Sequence, residues 1–268
     1  MSDNFKIGIV GKGFVGGAVS NGFNKNVEQI IVDPVHSDTT LEQLVEKGPT
    51  LTFVCVPTPP NEDGSINVDI VTDVLVELSM RDYKGVVVVK STIIPDYLHQ
   101  FKKEFDLKIV YNPEFLTEQN AEHDFKNPFF NLIGGDWDDC SYLESVYKDF
   151  SQCAYAPVFK TDVITASLVK YALNSFYATK VIYMNELHEL HETSGAGTTW
   201  DEFIQILETD PRMGSSHLRV PGPDGQYGFG GNCFPKDTKA LIHYAFTLGV
   251  RMGVLETAVN RNINIRKP

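Results

Sequence analysis

The sequence predicts an α/β protein, a Rossmann-like, mainly parallel sheet followed by an all-helical domain. Three observations predict it. Short apolar runs alternate with segments of helical period through the first half of the chain, the pattern of repeated βαβ units. The first run, Lys6–Val10, leads straight into Gly11-Lys12-Gly13-Phe14-Val15-Gly16. After residue 160 the short runs stop, and one stretch of helical period extends over about eight turns. The expected domains are therefore 1–160, binding a dinucleotide, and 161–268, helical.

Lys6–Val10 reads as a buried strand, and the segment from the glycines to about Asn24 as a helix. A second run, Gln29–Val32, ends in Asp33, 17 residues past Gly16. Strand, GxGxxG, helix, strand and terminal acid make the dinucleotide-binding fingerprint. Gly11, Gly13 and Gly16 allow the tight turn and close approach of a pyrophosphate. Asp33 is placed to accept from ribose hydroxyls, and an acid there with no nearby arginine favours NAD over NADP. Leu51–Val56 is the next strand and stops at Pro57-Thr58-Pro59-Pro60, where the prolines shape a rigid loop. Asn61–Ser65 is a turn and Val68–Met80 a helix. Gly85–Val89 delivers Lys90-Ser91-Thr92 at a strand end, and a helix over Pro95–Phe105 follows. Lys108–Val110 delivers Tyr111-Asn112-Pro113-Glu114-Phe115. Asn131–Ile133, a helix over Trp137–Asp149 and a strand near Ala156–Phe159 close the domain.

From Thr161 to about Glu192 the chain reads as a single helix, about 45–50 Å long, capped by Thr161 or Asp162 and stopped by Gly195. Its middle is apolar on nearly every face, from Tyr171 to Met184, which predicts burial and a homodimer packed about the 161–192 helix. Trp200–Leu207 is a short helix, Asp210–Phe229 is rich in loop residues, and Pro235–Leu248 and the segment from Val254 are helices.

A net charge of −12 argues against nucleic-acid binding, which needs a basic surface. The longest apolar runs are too short to span a bilayer, and an opening strand with no charged-then-apolar stretch before it leads to the expectation of no leader. Four scattered cysteines, with no CxxC and no close Cys/His spacing, suggest neither disulfides nor a zinc site, and fit a reduced cytoplasmic compartment.

One stretch stands apart. Tyr227–Asp237 reads YGFGGNCFPKD, a cysteine in a glycine-rich loop with a lysine and an aspartate close behind. Pro235 suits the first turn of a helix, which puts Cys233 just ahead of a helix N-terminus, where a thiolate is favoured. A small buried cysteine in a turn is the alternative reading. Lys170 and Asn174 stand four residues apart on one face of the long helix, in a stripe with Val163, Tyr177 and Val181. A lysine on such a stripe needs a partner, a path to solvent or a task.

Taken in order, these motifs, with Asn112–Glu118 (NPEFLTE), Asp210–Gly214 (DPRMG) and Gly230–Asp237 (GGNCFPKD), closely resemble the UDP-glucose/GDP-mannose dehydrogenase family over essentially the whole chain. GGNCFPKD and NPEFLTE carry the resemblance, and the glycine fingerprint adds little to it. The resemblance implies oxidation of a sugar-nucleotide primary alcohol to a carboxylate with two NAD, as in conversion of UDP-glucose to UDP-glucuronate for polysaccharide precursors. It makes Cys233 the nucleophile that carries a thiohemiacetal and then a thioester. Lys170 and Asn174 would stabilise the oxyanion, Asp237 would hold a water or assist proton removal, and Glu114 with Thr92 would orient the hydrolytic water. Gly11, Gly13, Phe14, Val15, Gly16, Asp33, Pro57, Thr58, Ser91, Thr92, Glu118 and Lys236 are implied at the cofactor. Phe115, Leu116, Glu118, Lys170, Asn174, Tyr227 and Gly230 are implied at the substrate, with Arg212 reaching it across a subunit boundary. The family usually continues into a third, nucleotide-holding domain, for which no sequence remains after Pro268. The expectation is a minimal dehydrogenase whose dimer or a separate partner chain supplies those contacts. The alternatives are an impaired NAD-binding dimer and a dehydrogenase of a smaller hydroxy-substrate.

Overall fold

The computed structural model describes residues 5–117, 120–153 and 155–266. The chain divides into two compact units. One comprises Met1–Asn61 with Ile66–Lys170, the other Glu62–Ser65 with Tyr171–Pro268.

The first unit is built on seven strands, β1 (Lys6–Val10), β2 (Glu28–Val32), β3 (Leu51–Val54), β4 (Val86–Val89), β5 (Lys108–Tyr111), β6 (Asn131–Gly134) and β7 (Val158–Thr161). They are ordered β2-β1-β3-β4-β5-β6-β7. Every neighbouring pair is parallel except β5–β6, which is antiparallel. The central strands are apolar on both faces because helices cover both, which is why β4 is four consecutive valines, all buried. The core joins Ile7, Ile9, Phe53, Val88 and Val110 on the sheet to Val19 and Tyr147 on the covering helices and to Phe23 at the end of the first of those helices. The helices are α1 (Phe14–Gly22), α2 (Leu41–Lys47), α3 (Asp69–Met80), α4 (Pro95–Glu104), α5 (Ala121–Lys126) and α6 (Trp137–Phe150).

Two of these, α2 and α5, were not expected from periodicity, since each is two turns or fewer. A capping box marks α2. Thr40 accepts from the Gln43 N–H at 3.2 Å while the Gln43 side chain accepts from the Thr40 N–H at 3.1 Å.

Parallel pairing brings the carboxyl ends of β1, β3, β4 and β5 to one edge. Gly11 N–H donates to Val32, Cys55 N–H to Val10, Lys90 N–H to Val54 and Asn112 N–H to Val89, all at 2.8–2.9 Å. With β2 and β3 on opposite sides of β1, the order reverses there, and such a switch point opens a crevice beyond the strand ends.

The second unit is helical. Its elements are most of α7 (Val163–Ser194), then α8 (Trp200–Glu208), α9 (Phe234–Thr247) and α10 (Gly253–Ile265). Asp162 caps α7, accepting from the Thr165 N–H at 2.9 Å, and Gly195 follows it at φ +74°. Met184 packs with Trp200, Ile204, Leu218 and Val220, and Ala178 and Ile182 pack with Phe229 and Ala258. The expectation of all-round burial of α7 is corrected within the single chain. Phe176 and Tyr183, one heptad apart on its other side, are 63% and 58% exposed.

Candidate functional site

The glycine loop leaves β1 at Gly11, which has φ +84°, and a Cβ there would lie 2.8 Å from the Cys55 carbonyl oxygen. At Gly16 a Cβ would stand 1.8 Å from the Gly11 oxygen, so α1 and the loop meet without side chains. Gly13 differs, because nothing lies within 4 Å of where its Cβ would be. That open cradle faces the start of α1, whose first N–H groups have no intrahelical acceptor, the arrangement that takes a phosphate. Phe14 and Val15 form the first turn, with Phe14 exposed. Asp33 follows β2 directly and accepts from Lys12 N–H at 2.6 Å, Val35 N–H at 2.9 Å and His36 N–H at 3.0 Å. The Lys12 amide above all, against slight desolvation, holds its carboxyl below the usual range, with Val35 and His36 adding to the effect. These residues fit a dinucleotide, with an ionised acid for the ribose.

At the neighbouring strand ends, Thr58 Oγ donates to the Thr92 carbonyl at 3.0 Å, which ties the Pro57–Pro59 loop to the segment after β4. Ser91 donates its hydroxyl to Val56 O at 2.7 Å and is buried. Lys90, beside it, is a buried charge that periodicity did not single out. Its ammonium donates to Asn112 O at 3.1 Å and Oδ1 at 2.8 Å, and Tyr147 donates to the same Oδ1 at 2.7 Å. Burial pushes the Lys90 pKa below the ordinary lysine range. The signal in the sequence was a lysine closing an all-valine strand.

Lys170, the last residue of the first unit, donates to Glu114 Oε1 at 2.8 Å and to the Glu114 carbonyl at 2.5 Å. Both side chains are buried. Desolvation alone would raise Glu114, but the Lys170 ammonium overcomes it, and the Leu116 N–H at 2.7 Å and Lys90 assist, so the carboxyl sits below its usual range. Phe115 lies under the Lys170 ammonium, 5.4 Å from nitrogen to ring centre, and Phe115 packs on Phe130. Glu118, implied at both cofactor and substrate, lies outside the described residues.

In the second unit Cys233 is the N-cap of α9, with Pro235 in the first turn. Cys233 as a residue is partly exposed, and the chain's four cysteines form no disulfide. One turn on, the Asp237 carboxylate is 1% exposed and shared between two donors, Asn174 Nδ2 at 2.6 Å to one oxygen and Lys236 Nζ at 2.8 Å to the other. Tyr227 packs edge-on against His188 and is half exposed. Arg212 is 89% exposed, its guanidinium forked onto Asp210. Its loop is gathered by Lys180, whose ammonium donates to the carbonyls of Met213 at 2.7 Å, Gly214 at 3.1 Å and Ser216 at 2.6 Å. Lys180 was not foreseen either. A lysine ten residues after Lys170 carries no local signal for a loop more than thirty residues downstream. Among the described residues no group of histidine, cysteine and carboxylate side chains is placed to hold a metal ion.

Two models of one family match this chain, the UDP-glucose/GDP-mannose dehydrogenase NAD binding domain over residues 33–151 and the central domain over residues 164–264. The chain belongs to the UDP-glucose/GDP-mannose dehydrogenase family. Its first unit is accordingly an NAD-binding domain, and NAD is the cofactor. UDP-glucose 6-dehydrogenase AglM of Haloferax volcanii is 31% identical over 258 residues, covering 90% of this chain and 58% of the relative. GDP-mannose 6-dehydrogenase of Pseudomonas savastanoi is 29% identical, covering 79% of this chain and 50% of the relative. The structure of a UDP-glucose dehydrogenase from Pyrobaculum islandicum superposes with a TM-score of 0.82 at 27% identity, covering 97% of this chain and 68% of that one. The chain thus spans about half the length of the curated relatives it matches.

Proposed function

We propose that this protein oxidises the primary alcohol of a sugar nucleotide to the carboxylate in two successive two-electron steps. A UDP-hexose is the first candidate. The observation that carries the reading is the buried Asn174–Asp237–Lys236 network directly behind Cys233 at the start of α9. A merely structural cysteine turn has no use for a fully buried carboxylate with two polar partners.

Gly11–Gly16, Asp33, Thr58 and the segment at Ser91 and Thr92 would hold NAD, which would supply the electron acceptor for each oxidation. Cys233 takes the aldehyde carbon through sulfur as a thiohemiacetal, which the second oxidation converts to a thioester. Water adds to the thioester carbonyl, the carboxylate forms and Cys233 leaves as the thiolate. Asp237 would hold a water or assist removal of the thiol proton, with Asn174 and Lys236 donating to its carboxylate. Lys170 stabilises the oxyanion of the tetrahedral species, and Asn174 adds a donor. A carboxyl held below its usual pKa is a weak base, so Glu114 with Thr92 orients the water by accepting from it. Phe115 and Leu116, and in the second unit Tyr227 and Gly230, are assigned to the sugar. Arg212, exposed on its loop, serves the site of a second subunit in a homodimer built on α7. The nucleotide half is held by that dimer or by a further chain. Reduced thiols throughout suit the cytoplasm.

Purified protein is mixed with NAD and a panel of UDP- and GDP-sugars, and absorbance of reduced cofactor is followed. The expected result is two reduced NAD per sugar oxidised, with none from Cys233→Ala. The Cys233→Ser variant is expected to stall with sugar attached, read by intact mass, since an alkoxide leaves poorly. Measurable NAD binding with no reduction by any sugar nucleotide would overturn the proposal and leave an NAD-binding module. Activity on a free hydroxy acid alone would replace it with the smaller-substrate reading.

A further inference from the structure

The loop that leads into Cys233 is shaped by side chains to which the mechanism gives no part. Four residues before the thiol, the Gly228–Phe229 backbone is satisfied by side chains from two helices of the second unit. Gly228 N–H donates to Asn185 Oδ1 on α7 at 3.0 Å. Phe229 N–H donates to Asn262 Oδ1 on α10 at 2.8 Å, and Asn262 Nδ2 donates back to Phe229 O at 3.0 Å. The Asn262 amide thus pairs with this residue as a neighbouring strand would. Arg266, just past α10, donates through Nη1 to Gly228 O at 3.3 Å, and its other amino nitrogen pairs with Asp224. Asn185 Nδ2 donates to Val181 O at 2.7 Å, which fixes which way its amide points.

The glycines answer to this clamp. Gly228 has φ +74°, and a Cβ there would come within 2.3 Å of Asn262 Oδ1. A Cβ at Gly230 would lie 2.1 Å from Arg266 Nη2. Phe229, between them, is buried with Ala178, Ile182 and Ala258, and Phe234 packs against the same cluster. The Gly228–Phe229 peptide, four residues before the thiol, and Phe234, the residue after it, are therefore tied to one small core. A glycine-rich loop has much freedom to lose, about 1–2 kcal/mol per residue fixed and more at glycine. Without the clamp the thiol would sample many positions about the first turn of α9.

We propose that Asn262, assisted by Asn185 and Arg266, is the positioning residue for Cys233, holding its sulfur at the N-terminus of α9 where the thiolate is favoured. The inference rests on the reading of Cys233 as nucleophile. A merely structural Asn262 would contribute stability and leave thiol reactivity unchanged.

The test is the pH profile of iodoacetamide alkylation at Cys233 in the intact chain, resolved by peptide mass spectrometry. Burial pushes Cys55 up to about 12 and Cys140 to about 11, so neither competes near neutral pH. Asn262→Leu removes both bonds to Phe229 at similar volume, and Asn262→Asp keeps the acceptor for the Phe229 N–H. NAD affinity and the melting temperature report on the fold. The expected result is alkylation at pH 7 slower by about 3- to 10-fold in Asn262→Leu, with the apparent thiol pKa moved up, as loss of a helix N-terminus interaction predicts, and partial recovery in Asn262→Asp. In turnover, kcat falls with KM little changed. An unchanged alkylation profile in folded Asn262→Leu overturns the inference. If that variant does not fold, Arg266→Met, at a partly exposed site, is judged by the same criteria. An Asn262-sensitive thiol in a protein that oxidises no sugar nucleotide would leave this inference standing and remove the dehydrogenase reading.

Discussion

At the scale of the residue, the Lys170–Glu114 pair sets the terms. Two opposite charges have been taken out of water and repay much of that cost to each other and to nearby backbone groups. Lys170→Met strands a buried carboxylate and is expected to lower unfolding free energy by about 3–5 kcal/mol. Lys170→Met with Glu114→Gln recovers most of that loss, and urea unfolding of the two single variants and the double checks it. If the effects simply add, the pair is not coupled. The sign of the pH dependence follows from Glu114. Its folded pKa is depressed, so its contribution is present above the unfolded value near 4.3 and is lost as pH falls through the folded one. Thermal melting from pH 6 down to pH 3 should show a decline beginning below about pH 5, weaker in Glu114→Gln. As candidates, Cys233 and Lys170 stood out in the sequence because each breaks a local rule, a thiol among glycines or a lysine on an apolar stripe, and Asn174 and Asp237 stood out by their spacing from them. Lys180, Asn185 and Asn262 did not, because a side chain that holds distant backbone leaves no trace at its own position, whereas Lys90 left one as the lysine closing an all-valine strand.

At the scale of the element, the strands and long helices were readable because burial imposes their periods. The fingerprint was readable because its glycines have no substitute. That requirement differs along the loop. Gly16→Ala drives a Cβ into the Gly11 carbonyl and is expected to destabilise the fold by about 1–3 kcal/mol. Gly13→Ala meets no protein atom, so stability should stay within about 0.5 kcal/mol, while NAD affinity falls roughly 10-fold, or ~1.4 kcal/mol. Melting curves with and without NAD separate the two. Equal stability losses would mean that the open cradle at Gly13 is not where phosphate sits. Helices α2 and α5 escaped the periodic reading because two turns show too little of a 3.6-residue repeat, although the Thr40–Gln43 capping box was a signal for the first.

At the scale of the whole molecule, α7 carries the open question of assembly. Phe176 and Tyr183 lie on one side of it and face solvent in the single chain, and Leu190 continues the row. A second copy covering this side would place the burial that the composition of α7 demands. Light scattering at micromolar concentration should give twice the 29.9 kDa chain mass, and Phe176→Glu with Tyr183→Glu should return it to one. A wild-type monomer would remove both the dimer and the shared role of Arg212. The fold class was legible throughout, because alternating strands and helices admit few arrangements. Assembly was legible only as a need, since an apolar helix surface states that it needs cover without stating what covers it.

The turn Glu62–Ser65 follows β3 in the chain, yet it belongs with the second unit. Gly64 lies against Lys239, and Asp63 stands 3.8 Å from the His243 ring on α9. The two units are thus interleaved in the gene as well as consecutive, and no single cut between them yields two intact halves. A recombination joining the NAD domain of one relative to the helices of another at residue 170 would pair α9 with a foreign turn. Descent is therefore expected to have kept these four residues together with α9.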